Sequence, residues 1–225
     1  MGDPGRFRGG VAVTPDESVV DAAIAAATAW GRQNDELILV RHGRPLAVER
    51  RRPGPDRYDP PLDARGRRQA RRTARLLAEQ QVAAVYSSDL VRAVQTAELV
   101  ARRVGRPAEA RAALREIGIT GAPADGGRRF IHTGQWLTLT AGDTGFRHRV
   151  RDCLEELVAT HRGTIVVVAH SGVINAHLAD VLDLDRDYTV RPWHASITRT
   201  YRGNGRWYLG SLNETAHLPT RLRTA

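Results

Sequence analysis

At 225 residues, with 41% hydrophobic and 26% charged side chains, the chain has the make-up of one globular domain, which excludes wholesale disorder and a fibrous architecture. The 34 basic side chains against 25 acidic ones leave a formal charge of +9, which favours an anionic partner without saying which. Every basic residue is arginine, so a lysine nucleophile or Schiff base is excluded, and the single cysteine, Cys153, excludes a disulfide framework.

Residues 1–13 are rich in Gly and Arg without an apolar period and read as a loose tail. Thr14-Pro15-Asp16-Glu17 combines an N-cap, a first-turn proline and a glutamate three residues on, which predicts a helix to about residue 31. Residues 1–35 are thus expected to be an added element and residues 36–225 the main domain. The acidic flank of the Ala-rich stretch argues against a signal peptide, and no apolar run reaches the length of a membrane span. A lone cysteine in a helical setting is expected to be a small buried side chain, and a soluble cytoplasmic protein is the expectation.

From residue 36 onward, short apolar runs alternate with longer amphipathic stretches. The pattern predicts strands at 36–40, 82–86 and 164–169, with helices at 66–80, 89–103, about 145–161 and from about 172. Residues 196–201 and 206–212, joined through Gly203-Asn204-Gly205, read as a closing hairpin. This alternation predicts an α/β fold, a three-layer sandwich with a mainly parallel central sheet flanked by helices. Residues 44–61 and 118–145 break the rhythm and are expected to be long loops that help build a site. The arginines of 65–75 share a helix with Ala70, Ala74, Leu76 and Leu77, which predicts a solvated basic face over a buried apolar one.

Two of the strands run directly into histidine. Leu37-Ile38-Leu39-Val40 delivers Arg41-His42-Gly43, and Thr164-Ile165-Val166-Val167-Val168-Ala169 delivers His170-Ser171-Gly172. The carboxyl ends of buried strands are where open α/β sheets place their ligands. Either histidine alone reads more often as structural than as catalytic, but together they lack metal-ligand spacing, and paired imidazoles beside arginines point to covalent phosphoryl chemistry. A third element, Tyr86-Ser87-Ser88-Asp89-Leu90-Val91-Arg92-Ala93-Val94-Gln95-Thr96-Ala97, places Arg92 on the first turn of a helix expected to be capped by Asp89, where the helix dipole already favours an anion.

Taken together, Leu39-Val40-Arg41-His42-Gly43, Ser87-Ser88-x-x-x-Arg92-Ala93-x-Gln95-Thr96-Ala97 and Val168-Ala169-His170-Ser171-Gly172 resemble, in order, the motifs of the histidine phosphatase superfamily, phosphoglycerate-mutase-like branch. The resemblance spans residues 37–218 and includes Pro61-Leu62-Asp63-Ala64-Arg65-Gly66 and Asn213-Glu214-Thr215-Ala216-His217-Leu218, in which His217 reads as structural. It implies that His42 is the phosphorylated nucleophile, that Arg41, Arg92 and His170 bind the phosphoryl oxygens, and that Glu116 is the general acid. Arg44 and Ser171 are further candidate substrate contacts, as are Arg128 and Arg129, although all three arginines can equally be solvated.

The stretch that usually follows the family's acid, Gly-x-Trp-Glu-Gly, is replaced by residues 118–127, so Asp125 is a rival to Glu116. The Trp-Asn pair typical of the family's mutases is replaced by Leu46-Ala47-Val48-Glu49, which favours hydrolysis over transfer. The implied reaction is metal-independent hydrolysis of a small phosphorylated metabolite, with no cofactor, no nucleic-acid or membrane partner, and a homodimer possible. The rivals are a mutase and a phosphate-binding domain without turnover.

Overall fold

The computed structural model describes residues 35–47, 59–116, 144–185 and 188–225. In chain order these form β1 (Asp35–Arg41), α1 (Ala64–Leu77), β2 (Val82–Ser88), α2 (Val91–Val104), β3 (Ala108–Arg111), α3 (Thr144–Thr160), β4 (Thr164–Ala169), α4 (Ser171–Val181), β5 (Ile197–Gly203) and β6 (Arg206–Glu214). Single 3-10 turns follow β3 and occupy Thr220–Leu222. The expected helix at 14–31 and most of the two expected loops lie outside the described residues.

One six-stranded sheet has the order β3-β2-β4-β1-β5-β6. Strands β3, β2, β4 and β1 are parallel, β5 pairs antiparallel with β1, and β6 closes the edge as the hairpin partner of β5. The hairpin turns at Asn204 and Gly205, whose φ values of 52° and 73° are the left-handed pair that a two-residue turn between twisted strands needs. The sheet is therefore mainly parallel, in three layers.

The central strands are apolar on both faces because both faces are covered. Leu37, Leu39, Ile165 and Val167 pack with Leu154, Leu157, Ile174 and Leu178 of α3 and α4. On the opposite face, Ile38, Val40, Val166 and Val168 pack with Ala74, Leu77, Ala97 and Val100 of α1 and α2. Helix α1 buries Gly66, Gln69, Ala70, Thr73, Ala74 and Leu77, while Arg67, Arg68, Arg71, Arg72 and Arg75 stay exposed. Cys153 is buried in the first of these layers, and burial pushes its thiol up. No helix among the described residues is long and apolar enough to cross a membrane.

Register decides what the sheet delivers. In the β1–β4 pair Arg41 stands opposite Ala169, and the His42 amide donates to the Ala169 carbonyl at 3.0 Å, so His42 and His170 leave the same sheet edge side by side.

Two local expectations need correcting. The short edge strand β3 was not anticipated, because Ala108-Glu109-Ala110 is exposed and weak in strand propensity and is held by pairing with β2. Asp89 does not cap α2. The cap position is Leu90, which makes no side-chain cap bond, while Asp89 accepts three bonds from Arg115 at 2.8, 3.0 and 2.7 Å. The free amide of Val91 donates instead to Asp59 Oδ1 at 2.7 Å.

The loop leaving β1 crosses the first turn of α1 at close quarters. A Cβ on Gly66 would lie 2.1 Å from the Arg44 carbonyl oxygen, and one on Gly43 2.6 Å from the Gly66 carbonyl oxygen. Backbone atoms cannot yield as a flexible side chain can. Gly66→Ala is therefore expected to cost about 1–3 kcal/mol in urea unfolding and to lower turnover by displacing the His42 loop; an unchanged midpoint would refute the close packing.

Candidate active site

The nucleophile candidate is fixed by its neighbours. His42 is buried, and its Nδ1 lies 2.8 Å from the Gly43 carbonyl oxygen. A carbonyl only accepts, so Nδ1 carries the proton and Nε2 holds a lone pair. Arg92 Nε donates to that Nε2 at 3.2 Å. Burial first, then His170, Arg92, Arg41 and His194, push the His42 pKa well below its ordinary value, so the ring is a neutral base.

Cationic and neutral donors surround it. Arg41 Nη1 donates to the Pro192 carbonyl at 2.5 Å, while its Nε is buried without a partner among the described residues. Burial lowers the Arg41 pKa to about 10, which leaves it charged. Arg92 is buried on the first turn of α2 and meets Asp59 Oδ1 at 3.4 Å. His170 is wholly buried, its ring centroid lies 5.0 Å from that of His42, and neither ring nitrogen has a partner among the described residues. Burial, then Arg92 and Arg41, hold it neutral too.

The motif residues between these groups hold the frame. Thr96 accepts from the Gly43 amide at 3.0 Å and donates to the Arg92 carbonyl at 2.8 Å, tying the nucleophile loop to α2. Gln95 accepts from the Leu62 amide, and Gln69 from the Arg44 amide, each at 2.8 Å. His217, read as structural, bonds Thr73 and the Ala195 carbonyl, each at 3.0 Å.

Glu116 lies at the start of α4, where the Gly172 amide donates to its two carboxylate oxygens at 3.0 and 3.3 Å. Burial lowers the pKa of both Arg41 and Arg92, and the charge of Glu116 acts against that lowering in each. Ser171 opens α4 and its hydroxyl bonds that of Tyr188. Asn175 clamps the segment carrying Tyr188, accepting from the Thr189 and Val190 amides at 2.9 and 2.8 Å. Arg44 stands at the rim with its side chain 39% exposed, and Asp63, the N-cap of α1, binds it at 2.5 Å.

His42, Arg41, Arg92, His170, Glu116 and Ser171 thus gather at one sheet edge, with Arg44 beside them. Asp125, Arg128 and Arg129 lie outside the described residues. Sequence reasoning missed Asp59, Tyr188 and His194. His194 is 7% exposed and its ring centroid lies 5.7 Å from that of His42. None of the three belongs to a local pattern; only the adjacency of His194 to the last hairpin hints at a place near the sheet. Among the described residues no group of three or more His, Cys, Asp or Glu is arranged to hold a metal ion.

Residues 37–125 and 134–215 match a family described as histidine phosphatase superfamily, branch 1. Phosphoglycerate mutase-like protein 4 of Arabidopsis thaliana is 44% identical over 73 residues, which is 32% of this chain and 31% of that protein. YhfR of Bacillus stearothermophilus superposes with a TM-score of 0.68 at 26% identity, covering 82% of this chain and all of that one. A mycobacterial glucosyl-3-phosphoglycerate phosphatase, solved with VO3, gives a TM-score of 0.63 at 26% identity over 80% of this chain and all of that one.

Proposed function

Because the chain belongs to the histidine phosphatase superfamily, branch 1, we propose that it hydrolyses a small phosphomonoester through a phosphohistidine on His42. The observation that carries this reading is the concentration of buried donors around a neutral imidazole whose proton is already placed. Three of the five buried, unpaired side-chain nitrogen and oxygen atoms among the described residues are Arg41 Nε, His170 Nδ1 and His170 Nε2. Such atoms are costly unless a ligand group meets them, and a phosphoryl oxygen is a fitting acceptor for Arg41 Nε–H and for the one N–H that a neutral His170 carries.

His42 Nε2 attacks phosphorus in line while the bond to the leaving oxygen breaks. The positive charge that develops on the ring is shared with the Gly43 carbonyl through Nδ1–H. Arg41, Arg92 and His170 hold the equatorial oxygens, where charge accumulates. Arg92 exchanges its bond to Nε2 for bonds to the phosphoryl group, and Asp59 keeps its guanidinium oriented.

Glu116 protonates the leaving alkoxide and then takes a proton from the water that cleaves the phosphohistidine. The Gly172 amide holds this carboxyl group in place. Ser171 and Arg44 contact the substrate from the rim. The single buried cysteine fits a reducing, cytoplasmic setting.

The test is release of inorganic phosphate from p-nitrophenyl phosphate and a panel of sugar, glycerate and glycosylated glycerate phosphates, with EDTA present. Turnover that EDTA leaves intact is the expected result, and the panel ranks substrates. Transfer between hydroxyls without phosphate release would make the chain a mutase, and binding without either would make it a silent phosphate receptor.

A further inference from the structure

We propose that His194 is a positioning residue for this site: its imidazole, locked in one tautomer by the Thr224 carbonyl, packs against the His42 ring and keeps the nucleophile dry and in line. The inference rests on His42 being the nucleophile.

The lock is a matter of hydrogen-bond direction. The His194 amide donates to the Thr224 carbonyl at 2.8 Å, and Nδ1 of the same residue lies 3.1 Å from that oxygen and 3.1 Å from Thr224 Oγ1. The carbonyl only accepts, so Nδ1 is protonated and Nε2 is not. Thr224 Oγ1 is itself held by Gln69 Nε2 at 2.8 Å, and Gln69 Oε1 accepts from the Arg44 amide at 2.8 Å. One chain of bonds therefore runs from the loop just after His42 through Gln69 and Thr224 to His194, whose ring returns to His42.

The backbone beside His194 is bent for this purpose. Ala195 has φ of 58°, a left-handed conformation that costs strain in a residue other than glycine. Its amide donates to the Arg41 carbonyl at 2.9 Å and the His42 carbonyl at 3.2 Å, and its carbonyl accepts from Thr73 at 2.9 Å. The strained residue is thus bonded to the backbone of the nucleophile itself. This ties the direction of the His194 ring to the position of His42.

Burial, and after it Arg41, keeps His194 uncharged. Arg41, Arg44 and Asp63 face it, and burial together with Arg41 lowers its pKa to about 3. His42 in turn faces His170, Arg92, Arg41 and His194. Glu116 acts on Arg41 and Arg92. A neutral third imidazole excludes water from the His42 ring without competing with the arginines for the phosphoryl group.

The experiment is nitrogen-detected NMR of histidine-labelled full chain, together with steady-state kinetics, on wild type, His194→Ala and His194→Phe. In the alanine variant, water reaches His42, so its titration midpoint is expected to rise toward the ordinary imidazole range while kcat falls about 10²-fold, the cost of a small misplacement, with little change in KM. Phenylalanine keeps a ring but offers Thr224 no proton, so His42 is expected to stay low while kcat still falls. A folded alanine variant with the wild-type His42 titration and kcat overturns the proposal. If that variant does not fold, wild-type kcat in the phenylalanine variant overturns it. Should wild type turn over no substrate, the phosphatase reading falls, while the NMR comparison still decides whether His194 governs His42.

Discussion

His42→Ala is expected to lower phosphate release on the order of 10⁴-fold or more, the scale seen when a nucleophile is deleted, and to lose the covalent intermediate with it. Rapid quenching of the wild-type protein with substrate in excess should trap one phosphoryl group, labile to acid and stable to base, on His42. The atom is also specified: Nδ1–H is held by the Gly43 carbonyl at 2.8 Å, so the phosphoryl group belongs on Nε2, where Arg92 Nε now lies at 3.2 Å. Phosphorus–nitrogen coupling in the trapped protein distinguishes the two nitrogens. Turnover that persists in a folded alanine variant, or label on His170 instead, would remove His42 from the role of nucleophile.

The placement of the two histidines was legible in the sequence for a physical reason. The strands that carry His42 and His170 are buried on both faces, so they are written as unbroken apolar runs, and the residue after each run must emerge at the sheet edge. Reading two such runs in parallel is enough to bring the histidines together, provided the strands are adjacent. The register of Arg41 opposite Ala169 supplies that adjacency. Arg92 was legible because a helix first turn has a fixed relation to the strand before it. Thr96 and Gln95, quoted in the same motif, turn out to pin the Gly43 loop and Leu62.

What stayed hidden was set by contacts distant in sequence. Asp89 looks like a helix cap by every local rule, yet Arg115 takes it and Asp59 serves the Val91 amide. The segment of Tyr188 to His194 contains no motif, and its place over the site follows from Asn175 and from Arg41 reaching the Pro192 carbonyl 151 residues away. Strand β3 forms because β2 offers it an edge. In each case the deciding partner lies in another element, and no pattern within the segment records it.

Acid should unfold this protein steeply. His42, His170, His177 and His194 are all buried, and burial is the first cause that lowers each of them, His177 to about 4 and His194 to about 3. In the unfolded chain a histidine titrates near 6.5, about 1.4 kcal/mol accompanying each unit of difference. The sign follows: above that pH neither state binds the proton, so the native state keeps its full stability. Below it the unfolded state binds protons that the native state refuses, and stability falls until the native pKa is reached. For His177 and His194 alone the loss is about 3 kcal/mol per pH unit, large against the 5–15 kcal/mol that a domain usually has. Urea unfolding followed from pH 8 to pH 5 should show it, and a flat profile would mean that these rings are solvated. Inorganic phosphate separates the site from the rest. Bound beside His42 and His170 it favours their protonated forms and should flatten only their part of the slope. His177, bonded to Thr200 at 3.0 Å and packed edge-on against Trp207, keeps its share whether or not phosphate is present.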